Sequence, residues 1–261
     1  MITVVDVTLI ALLAGAATGI GALPILVAGR VSHRLYDGAL GLAAGIMVGA
    51  AVFALVVPGL ELGTLPEVTG GLVVGGVFLL AANWAIPHAH LLFGGSNGEE
   101  FPESSPVEAV DDDLRQALLI GSSITIHNVP EGLAIGIAFA SGFEEVGLAL
   151  AAAIAVQNVP DGFAMAVPAS QTGLSKAKTI LYTTLSGAIP EPIAAAAGFA
   201  LVTVVTGIFP VASGFAAGAM MAVVFRELIP ESHSHGYADT ATITFILGFT
   251  IMVGVDVGLA V

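Results

Sequence analysis

The chain is 261 residues long, 56% hydrophobic and only 10% charged, against about 25% charged residues in an ordinary soluble domain, and its mean hydropathy of +0.99 excludes a water-soluble globule. A bilayer-crossing helix takes ~20 apolar residues, so this length holds eight spans as one transmembrane domain, 1–261, with nothing left for a soluble one. Twenty acidic against six basic residues, a net charge of −14, argue against nucleic acid, do not suggest a surface built for anionic lipid and favour a cation as partner, and the lack of cysteine excludes disulfides and thiolate metal sites.

Hydropathy places spans near residues 5–28, 38–58, 68–92, 116–140, 146–168, 177–206, 209–229 and 240–260. The first contains Asp6 in place of a basic leader and is too long for a signal-peptide core, so it reads as a retained span. All six basic residues, Arg30, Arg34, Arg115, Lys176, Lys178 and Arg226, then fall on one side of the membrane. Loops rich in Lys and Arg stay in the cytoplasm. With an even number of spans, both termini of a multi-pass plasma-membrane protein are expected outside. The opposite loops carry Glu61, Glu67, Glu144 and Glu145. The one long loop, 94–115, holds seven acidic residues and one arginine; it reads as a disordered cytoplasmic segment, either a solvated linker or a trap for released cations.

Ionisable side chains inside a membrane cost roughly 2.5 kcal/mol or more each, so they tend to face a bundle interior and mark ion pathways. Span 4 carries His127-Asn128-Val129-Pro130-Glu131-Gly132, and span 5 carries Gln157-Asn158-Val159-Pro160-Asp161-Gly162. These are two copies of one device. Helical spacing brings His127, Asn128 and Glu131 to one face, and likewise Gln157, Asn158 and Asp161. Each proline frees the carbonyl four residues back, at Ile126 and Val156, and each glycine admits a neighbouring helix. Facing each other, the two helices offer one imidazole, two carboxylates and three amide oxygens. That set suits a transition-metal dication in transit, with zinc, iron, manganese and cadmium left open. The competing reading is a set of interhelical hydrogen bonds that only hold the bundle together.

Glu191, beside Pro190 and Pro192 in span 6, is placed to complete a second metal position, and Met47 in span 2 is a further candidate ligand. His88, His90, Glu227, Glu231 and His233 mark the cytoplasmic ends of spans 3 and 7, as an exit path or as interfacial side chains, and Asp256 in span 8 is a candidate entrance residue. No HExxH or GxxxxGK[ST] motif occurs, so an intramembrane metallohydrolase or a direct ATP coupling is disfavoured, no catalytic residue or cofactor is expected, and a passive channel with the same ligands stays open.

These paired motifs, with the Ser186-Gly187…Glu191-Pro192 segment and the Glu227-x-x-Pro230-Glu231-Ser232 end, resemble the ZIP family of divalent metal transporters, in its prokaryotic GufA-like branch. The resemblance implies a 3+2+3 arrangement in which spans 1–3 and 6–8 are inverted repeats around spans 4 and 5. It implies uptake of zinc or a related dication into the cytoplasm by alternating access, and often a homodimer. On matching positions, Met47, His127, Glu131, Gln157 and Asp161 would line one metal position; Asn128, Glu131, Asn158, Asp161 and Glu191 would line its neighbour. His88, His90 and Glu227 would belong to the exit path. Relatives often carry an acid where Asn158 stands, a glutamate at Asp161, a histidine at Arg226 and an acid at Asn83.

Overall fold

The computed structural model describes residues 2–26, 31–92, 127–170, 174–205 and 207–259, with the side chains of Asn83, of residues 85–92 and of residue 259 outside the description. The acidic loop 94–115, Arg30, Arg115, the first half of predicted span 4 with the Ile126 carbonyl, and the side chains of His88 and His90 therefore lie outside the described residues.

All regular structure among the described residues is helical. We label the rods α1 (Val4–Ala22, followed by a 3-10 turn to Leu26), α2 (His33–Leu62), α3 (Leu65–Leu92), α4 (127–140), α5 (Glu144–Ala169), α6 (Lys176–Val204), α7 (Phe209–Ser232) and α8 (Ala238–Leu259). Seven of them are long and apolar enough to cross a membrane. The remaining one, α4, is the described part of the predicted fourth span. Their outer surface is Leu, Val, Ile and Phe, with Leu13 73% and Val73 61% exposed, a face that lipid rather than water covers.

Three of the spans are not continuous α-helix, which hydropathy does not reveal. In α2 the backbone widens into a π-turn at Ala51–Val56 just before Pro58, and α7 does the same at Val224–Leu228 just before Pro230. Proline offers no N–H to the carbonyl four residues back, so the preceding turn rearranges. The third, α6, breaks at Ile189, where Pro190 starts a new helix.

Small residues set the packing. The largest interfaces pair α3 with α7, α2 with α8 and α1 with α5; α1 also lies along both halves of α6, and α2 along α5. In the α2–α8 seam a Cβ on Gly45 would lie 2.0 Å from the Phe245 carbonyl oxygen. Without lipid-excluding hydrophobic force between them, membrane helices associate through such close backbone contact.

Polar contacts show which ends lie together. At one end, Thr3 and Asp6 form a capping box, the Ile2 amide donates to Glu144 Oε1 at 3.3 Å, and Thr64 donates through both backbone N–H and hydroxyl to Glu67 Oε2 at 2.7 Å. At the other, Lys176 Nζ donates to the Leu26 carbonyl at 3.0 Å, and the start of α2 meets the end of α7 through Tyr36 and Glu231. Arg34, Lys176 and Lys178 lie beside these contacts at the second end.

Candidate metal site

The two repeated motifs sit where their spacing predicts. Within α4 and α5 the polar groups turn inward: Asn128 is 6% exposed, Glu131 and Asn158 1%, and Gln157 0%. Gln157 Nε2 donates to Glu131 Oε1 at 2.7 Å, so the two copies meet face to face. Asp161 lies within electrostatic range of Glu131, Glu191 and His127.

The glycine after each carboxylate does what the sequence suggests. A Cβ on Gly132 would lie 2.2 Å from the Glu191 carbonyl oxygen, and one on Gly162 1.9 Å from that of Thr18. Thus α4 is seated directly on α6, and α5 on α1. The asparagines repeat this pairing: Asn128 Nδ2 donates to the Ser186 carbonyl of α6 at 2.9 Å, and Asn158 Nδ2 to the Ala14 carbonyl of α1 at 2.8 Å.

Glu191 is completely buried at the first turn of the second half of α6. The helix break places it there, and the positive end of the helix dipole favours a carboxylate at that position. Its Oε1 accepts from Asn158 Nδ2 at 2.8 Å. Both neighbours of that amide, a carbonyl and a carboxylate, only accept, so the nitrogen must face them and Asn158 Oδ1 must face away.

Among the described residues, five buried side-chain oxygens are without a hydrogen-bond partner: Glu131 Oε2, Gln157 Oε1, Asn158 Oδ1, Asp161 Oδ1 and Glu191 Oε2. Buried acceptors without donors cost about 1–3 kcal/mol each. They come from three adjoining helices, three on carboxyl groups and two on amides. Among the described residues no three His, Asp or Glu side chains converge tightly enough to hold an ion by themselves.

Other candidate residues fall in different places. His127 pairs its Nε2 with Glu227 Oε2 in the π-turn of α7, joining a residue assigned to the intramembrane site to one assigned to the exit path. Met47 is buried, one turn ahead of the π-turn in α2. Glu231 accepts from Tyr36 Oη at 3.4 Å. His233 folds back on its own helix end, its Nδ1 2.9 Å from the Ile229 carbonyl and from Ser232 Oγ. Asp256 is partly exposed in the last turns of α8 and makes no hydrogen bond or ion pair with the described site residues.

One cluster was not anticipated. Asp37, completely buried, accepts from His235 Nδ1 at 2.8 Å and from the Tyr237 amide at 3.4 Å; the His33 ring stacks on His235 with centroids 4.5 Å apart, and Tyr36 meets it edge-on. Matching i, i+4 spacings, His33/Asp37 and Glu231/His235, are the sequence signal that would have found it.

The helices define a polytopic membrane protein with a buried cluster of polar side chains between them. Residues 96–256 match the family described as ZIP Zinc transporter. The chain is 35% identical to the zinc transporter GufA of Myxococcus xanthus, over 95% of this chain and 96% of that one. It is 37% identical to the zinc transporter ZIPB of Bordetella bronchiseptica, over 94% and 78%, and 32% identical to the human zinc transporter ZIP11, over 93% and 94%. The chain therefore belongs to the ZIP zinc transporter family, a family of metal transporters and not of enzymes.

Proposed function

We propose that this protein imports zinc across the plasma membrane into the cytoplasm by alternating access, with both termini outside. The observation that carries the reading is the set of five partnerless buried oxygens on Glu131, Gln157, Asn158, Asp161 and Glu191. A dication entering from outside exchanges its water for these oxygens. His127, engaged with Glu227, is the group through which the ion passes towards Glu231 and the basic end of the molecule. The membrane potential drives inward movement with ~2.3 kcal/mol per charge per 100 mV.

The packing supports such a movement. A 3+2+3 arrangement is supported by the exchange symmetry of the interfaces: α3 with α7 and α2 with α8 swap when spans 1–3 and 6–8 are interchanged. The π-turns before Pro58 and Pro230 swap as well. In this reading α1, α4, α5 and α6 carry the ion as one body, held by Gly132, Gly162 and the two asparagine bonds, against α2, α3, α7 and α8.

Zinc uptake into proteoliposomes tests the proposal. The double variant Glu131→Gln, Asp161→Asn keeps the side-chain volumes and removes the charge that ligates. Saturable uptake should drop at least tenfold; uptake equal to wild type would refute the assignment.

A further inference from the structure

A cavity of about 670 Å³ lies along the seam where α1 and α5 face α2 and α8, at the end of the molecule that carries the basic residues. The volume falls within the ~300–1,000 Å³ typical of small-molecule pockets. Its walls are apolar, with Ile20 and Pro24 on one side, Leu35 and Leu42 on the other and Phe163 between. On α8, Thr244 also lines it, but its hydroxyl donates back to the Thr240 carbonyl at 3.0 Å, leaving carbon towards the cavity. Besides Thr240 and Thr244, the polar lining is Ser32 and Arg34, both exposed at the start of α2. Nearby, Lys176, bonded to the Leu26 carbonyl just beyond Pro24, brings another positive charge to that end of α1.

We propose that this seam is a binding site for an anionic phospholipid, with one acyl chain in the cavity and the headgroup phosphate on the Arg34 guanidinium. A guanidinium pairs with phosphate oxygens through two parallel hydrogen bonds, and basic pockets between membrane helices on the cytoplasmic side are where such headgroups bind. A free phosphate would leave the apolar walls uncovered. A neutral apolar molecule would leave the arginine at the rim unused. An anionic lipid matches both, and in a membrane-spanning chain it is the ligand at hand.

The location gives the site a consequence. Each wall is internally locked, α1 to α5 by Gly21 and Gly162 and α2 to α8 by Gly41 and Gly45, so the cavity is the joint between two stiff bodies. Val159 and Pro160, which line it, immediately precede Asp161. If the two bodies rock as proposed above, the width of the joint differs between states, and an occupant shifts their populations by its differential affinity. This consequence rests on the transport reading; the binding does not.

The test is native mass spectrometry of the full chain in detergent, offered phosphatidylglycerol and phosphatidylcholine with identical acyl chains in equal amounts. Wild type should retain phosphatidylglycerol at least tenfold over phosphatidylcholine. Arg34→Glu should erase the preference. Ala39→Trp, which fills the cavity and leaves the charge, should lower retention of both lipids. Inorganic phosphate should not displace the lipid. Equal retention of the two lipids by wild type, a preference that survives both variants, or displacement by phosphate alone would overturn the proposal. Retention of phosphatidylglycerol by a protein that takes up zinc in no vesicle would support the lipid site and count against the transport reading.

Discussion

The closest backbone contact behind the site is the seating of Gly162 on α1, and it makes Gly162→Ala a quantitative test. The new Cβ would lie 1.9 Å from the Thr18 carbonyl oxygen, 2.7 Å from its carbon and 3.0 Å from its Cα. Every clashing atom is backbone, so no side-chain rotation relieves it. Bringing Cβ and oxygen even to 3.0 Å requires α5 to move off α1 by about 1.1 Å, which a close-packed interior resists. Overpacking of this kind costs ~1–3 kcal/mol, and the better helix propensity of alanine returns only ~1 kcal/mol. Asp161 precedes Gly162 directly, so the same shift misplaces a proposed ligand; errors of ~1 Å in a reacting geometry lose ~100-fold in rate. Zinc uptake into proteoliposomes should therefore fall by one to two orders of magnitude, while thermal unfolding in detergent falls only modestly. Gly70→Ala is the control, since nothing lies within 4 Å of its Cβ, and it should unfold at the wild-type temperature or slightly above. Wild-type uptake and wild-type stability in Gly162→Ala would refute the packing argument.

Further outcomes follow from individual contacts. Asn158→Asp replaces the Nδ2 that bridges the Ala14 carbonyl and Glu191 Oε1 with a carboxylate, leaving acceptors face to face; without zinc it should lose ~1–3 kcal/mol, and zinc should raise its melting temperature more than it raises that of wild type. Because carboxylate ligands must be deprotonated, metal binding releases protons; zinc uptake at constant free zinc should rise from mildly acidic to neutral pH, and a flat profile would contradict ligation by Glu131 and Asp161. Asp37→Ala leaves His235 Nδ1 and the Tyr237 amide without their acceptor, so amide hydrogen exchange should speed up across residues 233–237. Glu227→Ala removes the partner of His127 and should slow uptake without abolishing zinc binding, measured by calorimetry.

The inward grouping of the motif side chains was legible in the sequence because its spacing is local. The residues His127, Asn128 and Glu131, and Gln157, Asn158 and Asp161, share faces by helical geometry alone, and the glycine after each carboxylate announces a close neighbour. Contacts between distant segments were less legible. Nothing in the span carrying Glu227 says that a π-turn before Pro230 will aim it at His127, since hydropathy is blind to one extra residue in a helical turn. Span 6 reads as one continuous apolar run, yet Pro190 divides it and sets Glu191 at a helix start. Asp37 stands just outside the predicted start of span 2 at residue 38, where hydropathy gives it no weight, although its spacing from His33 mirrors that of His235 from Glu231. The ring of His233, two residues before His235, is held by the Ile229 carbonyl of its own helix.

The central claim is that an ion binds among the inward-facing oxygens of α4, α5 and α6. Anomalous diffraction at the zinc edge from crystals grown with zinc locates it directly. A peak about 2.0–2.2 Å from carboxylate oxygens of Glu131 and Asp161, with an amide oxygen of the same cluster completing the shell, is the expected result. A protein that transports zinc but shows its only intramembrane peak elsewhere, with Glu131, Asp161 and Glu191 bonded among themselves, would contradict it.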